Sequence, residues 1–342
     1  MERCRFDRIC AIGFRLLFGV LISHTAHAEW ISETQNIMGT RCVVELWSED
    51  HEKGEVAIAS VFDDMHRIDR LMSTWKEDTE ISMVNRDAGK HPVKISEELF
   101  RLLQTSVHYS ELTHGAFDIT YASVGYLYDF KKGVHPDQKA IDKALPGINW
   151  RHMKLDPKQL TVHFTRPGMR IDLGGIAKGY SVDKGIEILQ KQGFTRAMVN
   201  AGGDTRIIGD RFGRPWVVGV RDPDHEGKTF LKLPLTDTAF STSGDYERYF
   251  DENGKRFHHI IDPKTGDSAR KCRSVTIISG TATRTDALTK SVFIMGPEEG
   301  IKFIDTLPDV DAVAVAPDGK VYYSKGLAPP EPEPAPEPAP AG

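Results

Sequence analysis

The run Arg170-Ile171-Asp172-Leu173-Gly174-Gly175-Ile176-Ala177-Lys178-Gly179-Tyr180 gathers residue types that can hold an anion. Its pattern predicts a buried strand, at 169–173, that passes through a glycine turn into a helix. Such a turn lets bare backbone N–H groups approach a negative charge, and a helix starting just after it adds the positive end of its dipole. Lys178 falls in the first helical turn, where it can reach a phosphate as a point charge, and Asp172 at the strand end can accept hydrogen bonds from a polar ligand group. Ile176, Val182, Ile186 and Leu189 recur at helical spacing, and Gly179 would let the helix press close to a sheet. Most glycine turns between strand and helix bind nothing, so this stretch alone does not establish a site.

Four other stretches carry chemically able side chains. Gly115-Ala116-Phe117-Asp118 sets an aromatic and a carboxylate at a helix end, where the ordinary alternative is a helix stop with Phe117 packed inward. Val199-Asn200-Ala201-Gly202-Gly203-Asp204 is a second glycine turn after a strand. In Phe257-His258-His259-Ile260-Ile261-Asp262-Pro263 the two imidazoles of an extended chain point to opposite faces, so at most one serves any given site. Asp286 lies in the first turn of a helix with Lys290 four residues on, the pattern of an ordinary surface pair.

The elements that must position these residues can be read in order. Thr40 leads into a strand at 42–47, and Ile58, Val61, Phe62, Met65, Ile68 and Leu71 mark an amphipathic helix over 55–72. Asp78 is the expected cap of a short helix through Val84, and Ser96 that of a longer one reaching Leu112. Residues 121–160 are crowded with Tyr and Pro and suggest a loop-rich insertion beside the core. Strands follow at 160–164, 196–200, 205–208, 216–220 and 275–279. Thr283 or Thr285 is expected to cap the helix of Asp286, and a helix at 298–307 with strands at 311–316 and 320–324 closes the fold.

With 342 residues, 39% of them hydrophobic, the chain can bury a large core, and its net charge of −5 offers no basic stripe for nucleic acid. Arg3, Arg5 and Arg8, the apolar run from Ile9 to Ile22 and Ala26-His27-Ala28 make a secretory signal at 1–28, cleaved after Ala28. That run is too short for a retained membrane span. The mature chain is therefore expected in the periplasm, as one domain over 29–327 followed by a disordered Pro/Glu tail at 328–342. Cys42 and Cys272 then remain, either paired or as buried thiols, and no Cys/His cluster suggests zinc. The absence of GxGxxG excludes a Rossmann dinucleotide site.

Met38-Gly39-Thr40, Met72-Ser73-Thr74-Trp75, Gly115-Ala116-Phe117-Asp118, the 170–180 run, Asn200-Ala201-Gly202-Gly203-Asp204, His259-Ile260-Ile261-Asp262-Pro263 with Thr265-Gly266, and Asp286-Ala287-Leu288, taken in that order, resemble the ApbE family of FAD:protein FMN transferases. The resemblance runs from Met38 to Tyr323. It implies an α+β, ApbE-like (T-fold-related) architecture of mixed sheets with packed helices and FAD in a cleft. By similarity the flavin contacts are Met38, Trp75 (where relatives often carry Tyr), Ala116, Phe117, Asp118, Asp172, Lys178 and Ile260.

The implied reaction is attack by a threonine hydroxyl of an exported or membrane electron-transfer protein on the FMN-side phosphorus of FAD, with AMP leaving. It also implies Mg²⁺ on the diphosphate, held by the backbone oxygen of Gly175 and the carboxylate of Asp286. Relatives commonly carry a third ligand, Thr, at the position of Lys290, and an ammonium cannot ligate a cation. Thr289 turning in, a water, or Lys290 standing in for part of the metal's charge are the possible arrangements. His259 is the candidate for activating the acceptor hydroxyl, with Asp262 to orient it, so His259 and Asp286 are the expected catalytic pair. The rivals are a Mg²⁺-dependent FAD pyrophosphatase and a non-catalytic periplasmic flavin-binding protein.

Overall fold

A computed structural model describes residues 28–221 and 228–328. The signal at 1–28 and the tail at 328–342, apart from Ala28 and Ala328, lie outside the described residues. The chain opens with β1 (Glu29–Ile37), β2 (Thr40–Ser48), α1 (His51–Met72), α2 (Glu80–Asp87), β3 (Val93–Lys94) and α3 (Glu97–Leu112). Its middle holds α4 (Ala122–Gly125), α5 (Gln138–Ala144), β4 (Met153–Asp156), β5 (Thr161–Phe164) and α6 (Ala177–Lys191). There follow β6 (Ala197–Ala201), β7 (Asp204–Ile208), β8 (Trp216–Arg221), β9 (Thr229–Leu235), β10 (Ala239–Gly244), β11 (Tyr249–Glu252) and β12 (Lys255–His258). The last elements are β13 (Ser274–Ser279), α7 (Ala282–Met295), α8 (Pro297–Ile304), β14 (Val310–Val315) and β15 (Val321–Tyr323).

Eight strands make the main sheet in the order β1-β2-β6-β7-β10-β13-β14-β15, every neighbouring pair antiparallel. The predicted apolar stripes of α1 and α6 are buried: Ile58, Val61, Phe62 and Met65 join Val182, Ile186 and Leu189 over Val44, Leu46 and Val199 of β2 and β6. A second core joins Leu99, Leu102 and Leu103 of α3 to Val292 and Phe293 of α7 and to Val275 and Ile277 of β13. The fold is α+β, as expected. Helix α7 lies on β10 and β13 with α6 beside it, so the ends of two packed helices meet over the sheet.

Several local expectations are corrected. The strand expected at 169–173 has no ladder: its partner is a side chain, since Asn85 Nδ2 donates to the Ile171 carbonyl at 2.9 Å while the Ile171 N–H donates to Asn85 Oδ1 at 2.7 Å. Thr79, not Asp78, caps α2, accepting from the Ser82 N–H at 3.1 Å. The region 121–160 holds α4, α5 and β4 around a small core of its own, where Val124, Tyr128 and Ile141 meet Phe257 and Ile261. Strands β1, β3, β4, β9, β10 and β11 escaped the sequence reading, and β12 was read only as extended chain at its histidines. Cys42 and Cys272 are free and buried in different cores, and burial pushes their thiols up to about 11 and about 12. Both are inert at neutral pH.

Candidate functional site

Asp172 ties three of the singled-out stretches together. Its Oδ1 accepts from the Tyr121 hydroxyl at 3.0 Å and the Gly174 N–H at 2.7 Å, and its Oδ2 accepts from the Thr74 hydroxyl at 2.6 Å. The Asp172 N–H donates to the Ile119 carbonyl at 3.0 Å. The glycine turn, the Ser73–Trp75 turn and the segment after Asp118 therefore share one carboxylate. Trp75, one residue from Thr74, has its side chain in solvent, with the residue 82% exposed.

Helices α6 and α7 cap each other. Asp183 of α6 accepts from the Ala282 and Thr283 N–H groups at 2.9 and 2.8 Å, so neither Thr283 nor Thr285 caps α7. In return Asp286 of α7 accepts from the Gly179 N–H, in the first turn of α6, at 3.1 Å. A carboxylate at a helix start satisfies an orphan N–H and meets the positive dipole end. Gly179 makes the approach possible, because a Cβ there would lie 2.2 Å from the Ala282 carbonyl oxygen. That glycine fits a helix against a helix, not against a sheet.

This joint encloses four charges. Lys178 Nζ lies 2.7 Å from Asp204 Oδ2, 3.4 Å from Asp286 Oδ2 and 3.2 Å from the Gly174 carbonyl. Lys290 reaches Asp286 Oδ1 from one turn along α7. Asp286, which by sequence resembles half of a surface pair, is fully buried. Burial pushes its carboxyl up, but Lys178 and Lys290 outweigh that and hold it below the usual range. Asp204 is pushed up by burial and by Asp286, against Lys178. Sequence reasoning did not single out Asp204; its one signal was a carboxylate closing the second glycine turn, which the Asn200 side chain braces through the Gly202 and Asp204 carbonyls.

Of the paired histidines, His258 is structural: its ring binds the Ala269 carbonyl at 2.6 Å and accepts from the Ile260 N–H at 3.3 Å, and burial lowers it to about 4. His259 Nδ1 is buried without a partner, and burial with the charges of Lys290 and Arg248 lowers the ring to about 3. Asp262 does not orient it; its carboxylate accepts from the Lys264 N–H at 2.8 Å within its own turn. Asp118 accepts from the Thr120 N–H and hydroxyl in its own turn at 2.9 and 2.6 Å and from the Trp150 N–H of a distant segment at 3.0 Å. Phe117 is packed inward, yet its ring edge is the nearest atom beside Gly175, with the Lys290 stem next to it. Ala116 and Ile260 are buried, and Met38 sits at the β1–β2 turn with φ 53, a left-handed conformation uncommon for a side chain of its size. Arg248 donates to the Gly39 carbonyl at 3.3 Å, fastening that turn near His259.

The side chains do not fit a divalent ion at Gly175 and Asp286. Such an ion needs several free oxygens, and Asp286 has none: Lys290 occupies Oδ1, while the Gly179 N–H and Lys178 occupy Oδ2. Thr289 does not turn in; its hydroxyl donates to the Asp286 carbonyl at 2.8 Å and accepts from Ser243 at 3.0 Å. Asp204 Oδ1 alone is a buried carboxylate oxygen here without a partner, and among the described residues no three His, Cys, Asp or Glu side chains stand together as a ligand set.

The model of the ApbE family matches residues 38–314. An FAD:protein FMN transferase of Treponema pallidum is 32% identical over 316 residues, covering 86% of this chain and 87% of its own. One from Klebsiella pneumoniae is 30% identical, covering 84% and 90%. Among solved structures, the ApbE protein of Thermotoga maritima superposes with a TM-score of 0.81 at 33% identity, over 87% of this chain and 98% of its own. The flavin transferase ApbE of Vibrio cholerae does so at 0.77 and 26%, again over 87% and 98%.

Proposed function

The chain belongs to the ApbE family, and we propose how it acts as an FAD:protein FMN transferase. FAD lies with its diphosphate across the start of α6 and its flavin under Trp75. The single observation that carries this reading is the joint of α6 and α7, where Lys178 and Lys290 stand beside the glycine turn at the start of α6, whose N-cap residue Ile176 supplies no side-chain cap of its own. Helix N–H groups and ammoniums are what a diphosphate requires.

The acceptor is a threonine hydroxyl of another protein. Its oxygen forms a bond to the FMN-side phosphorus, the bond from that phosphorus to the bridging oxygen breaks, AMP leaves with that oxygen, and the hydroxyl proton passes to a base. Phosphoryl transfer of this kind needs alignment and neutralised charge more than covalent help. His259 is suited to take the proton: its ring is neutral at working pH, its Nδ1 has no competing partner, and a bound diphosphate raises its affinity for a proton. Asp172 holds the glycine turn, and Asp286 holds Lys178 and Lys290 in place. The carboxylate expected to hold the Mg²⁺ implied by the resemblance, that of Asp286, is already engaged on both oxygens.

Arg3, Arg5, Arg8 and the apolar run after them support work in the periplasm on an exported or membrane electron-transfer protein. Among the described residues no helix is long and apolar enough to cross a membrane. Incubation with FAD, with and without such an acceptor domain, tests the reading. Covalent fluorescent flavin on the denatured acceptor with equimolar AMP is expected, and His259→Ala should slow labelling by roughly 10²-fold. AMP without labelling would mean hydrolysis, and bound flavin with neither product would mean a binding protein.

A further inference from the structure

The same joint contains a cation of its own. Lys290 lays its stem along Gly175 and Phe117 and seats its ammonium on the fully buried Asp286, while 17% of its side chain stays accessible. Lys178, 21% accessible, completes the balance of two ammoniums against Asp204 and Asp286. An ammonium so placed cannot yield its seat cheaply, because leaving would strip a buried carboxylate of its nearer counter-charge. A diphosphate arriving here meets ammonium N–H donors that are already in position.

Resting on the reading of this site as the FAD pocket, we propose that Lys290 is its resident cation: the ammonium takes the seat on Asp286 that a divalent ion would need and, with Lys178, presents ammonium N–H donors to the diphosphate, so FAD is bound and transferred without metal. A hydroxyl there would leave one Asp286 oxygen free and open the seat to a divalent ion.

Two measurements on the mature chain test this. Flavin fluorescence gives FAD affinity in EDTA and in Mg²⁺. The unsubstituted protein should show the same affinity in both, within about twofold, whereas Lys290→Thr should lose about tenfold in EDTA and recover it with Mg²⁺. Lys290→Met, which keeps the stem and deletes the charge, should lose affinity that Mg²⁺ does not restore. Free Mn²⁺, followed by electron paramagnetic resonance without flavin, should stay free with the unsubstituted protein and be bound by Lys290→Thr. Mn²⁺ bound by the unsubstituted protein and released by Asp286→Asn, or an FAD affinity that rises about tenfold on adding Mg²⁺, would overturn the proposal. The Mn²⁺ measurement involves no flavin, so failure to bind FAD at all would count against the flavin reading and leave the metal question decided separately.

Discussion

Lys178 carries its charge where burial alone would strip it. Burial pulls the ammonium down, but Asp204 and Asp286 outweigh it and hold the group above the ordinary lysine range, so it stays charged wherever the protein is folded. Trp75 represents the opposite case: nothing in the fold needs its exposed indole. Trp75→Ala should therefore leave the melting temperature unchanged and weaken FAD about tenfold, the worth of one stacked aromatic face, by fluorescence titration. Met38 lies between these, its left-handed turn held between β1 and β2 at an expense of about 1–3 kcal/mol. Such strain persists only where the surroundings over-determine it, here through the Arg248 bond to Gly39.

At the scale of elements, the α6–α7 contact governs the site. Gly179→Ala would drive a methyl into the Ala282 carbonyl, and should cost about 3 kcal/mol of stability and most FAD binding. Gly280→Ala, with open space around it, is the control and should change stability by less than about 0.5 kcal/mol in denaturant titration. Elements whose pattern is local were legible in the sequence. The apolar stripe of α1 and the Ser96 cap of α3 state their structure within a few residues. The extended run before Gly174 did not, because what pairs with it is not a strand but the Asn85 amide of α2, the Ser123 hydroxyl and the Ile119 carbonyl. The true cap of α7 was hidden for the same reason, arriving from Asp183 of another helix. Asp172, Lys178, Asp286 and Phe117 converge around the glycine turn, whereas Asp118 accepts from Thr120 and the Trp150 N–H, and Asp262 from its own turn. A carboxylate after a glycine looks the same in either role until its partners are known.

For the molecule as a whole, two neutral histidines near the site make folding sensitive to acid. His258 is lowered to about 4 and His259 to about 3, by burial first, from an ordinary 6.5. The unfolded chain therefore binds more protons below pH 6.5. Their stabilising contribution is complete above that pH and is lost as pH falls toward the folded values. For His258 alone the loss is about 2 kcal/mol by pH 5. Asp204, raised in the fold, works in the other direction as it protonates. Melting temperatures at pH 7 and pH 5 should fall by several degrees for the unsubstituted protein and by less for His258→Gln, a difference that isolates the histidine.

The mutual capping of α6 and α7 also acts as a ruler. Gly179 and Asp183 on one rod must meet Asp286 and Ala282 on the other, so both spacings are fixed together. Inserting or deleting a single residue between either pair would rotate one carboxylate about 100° off its mark and uncap both helices at once. Length variation among descendants of this gene should therefore be tolerated in outlying hairpins such as β11–β12 and be absent from these two short intervals.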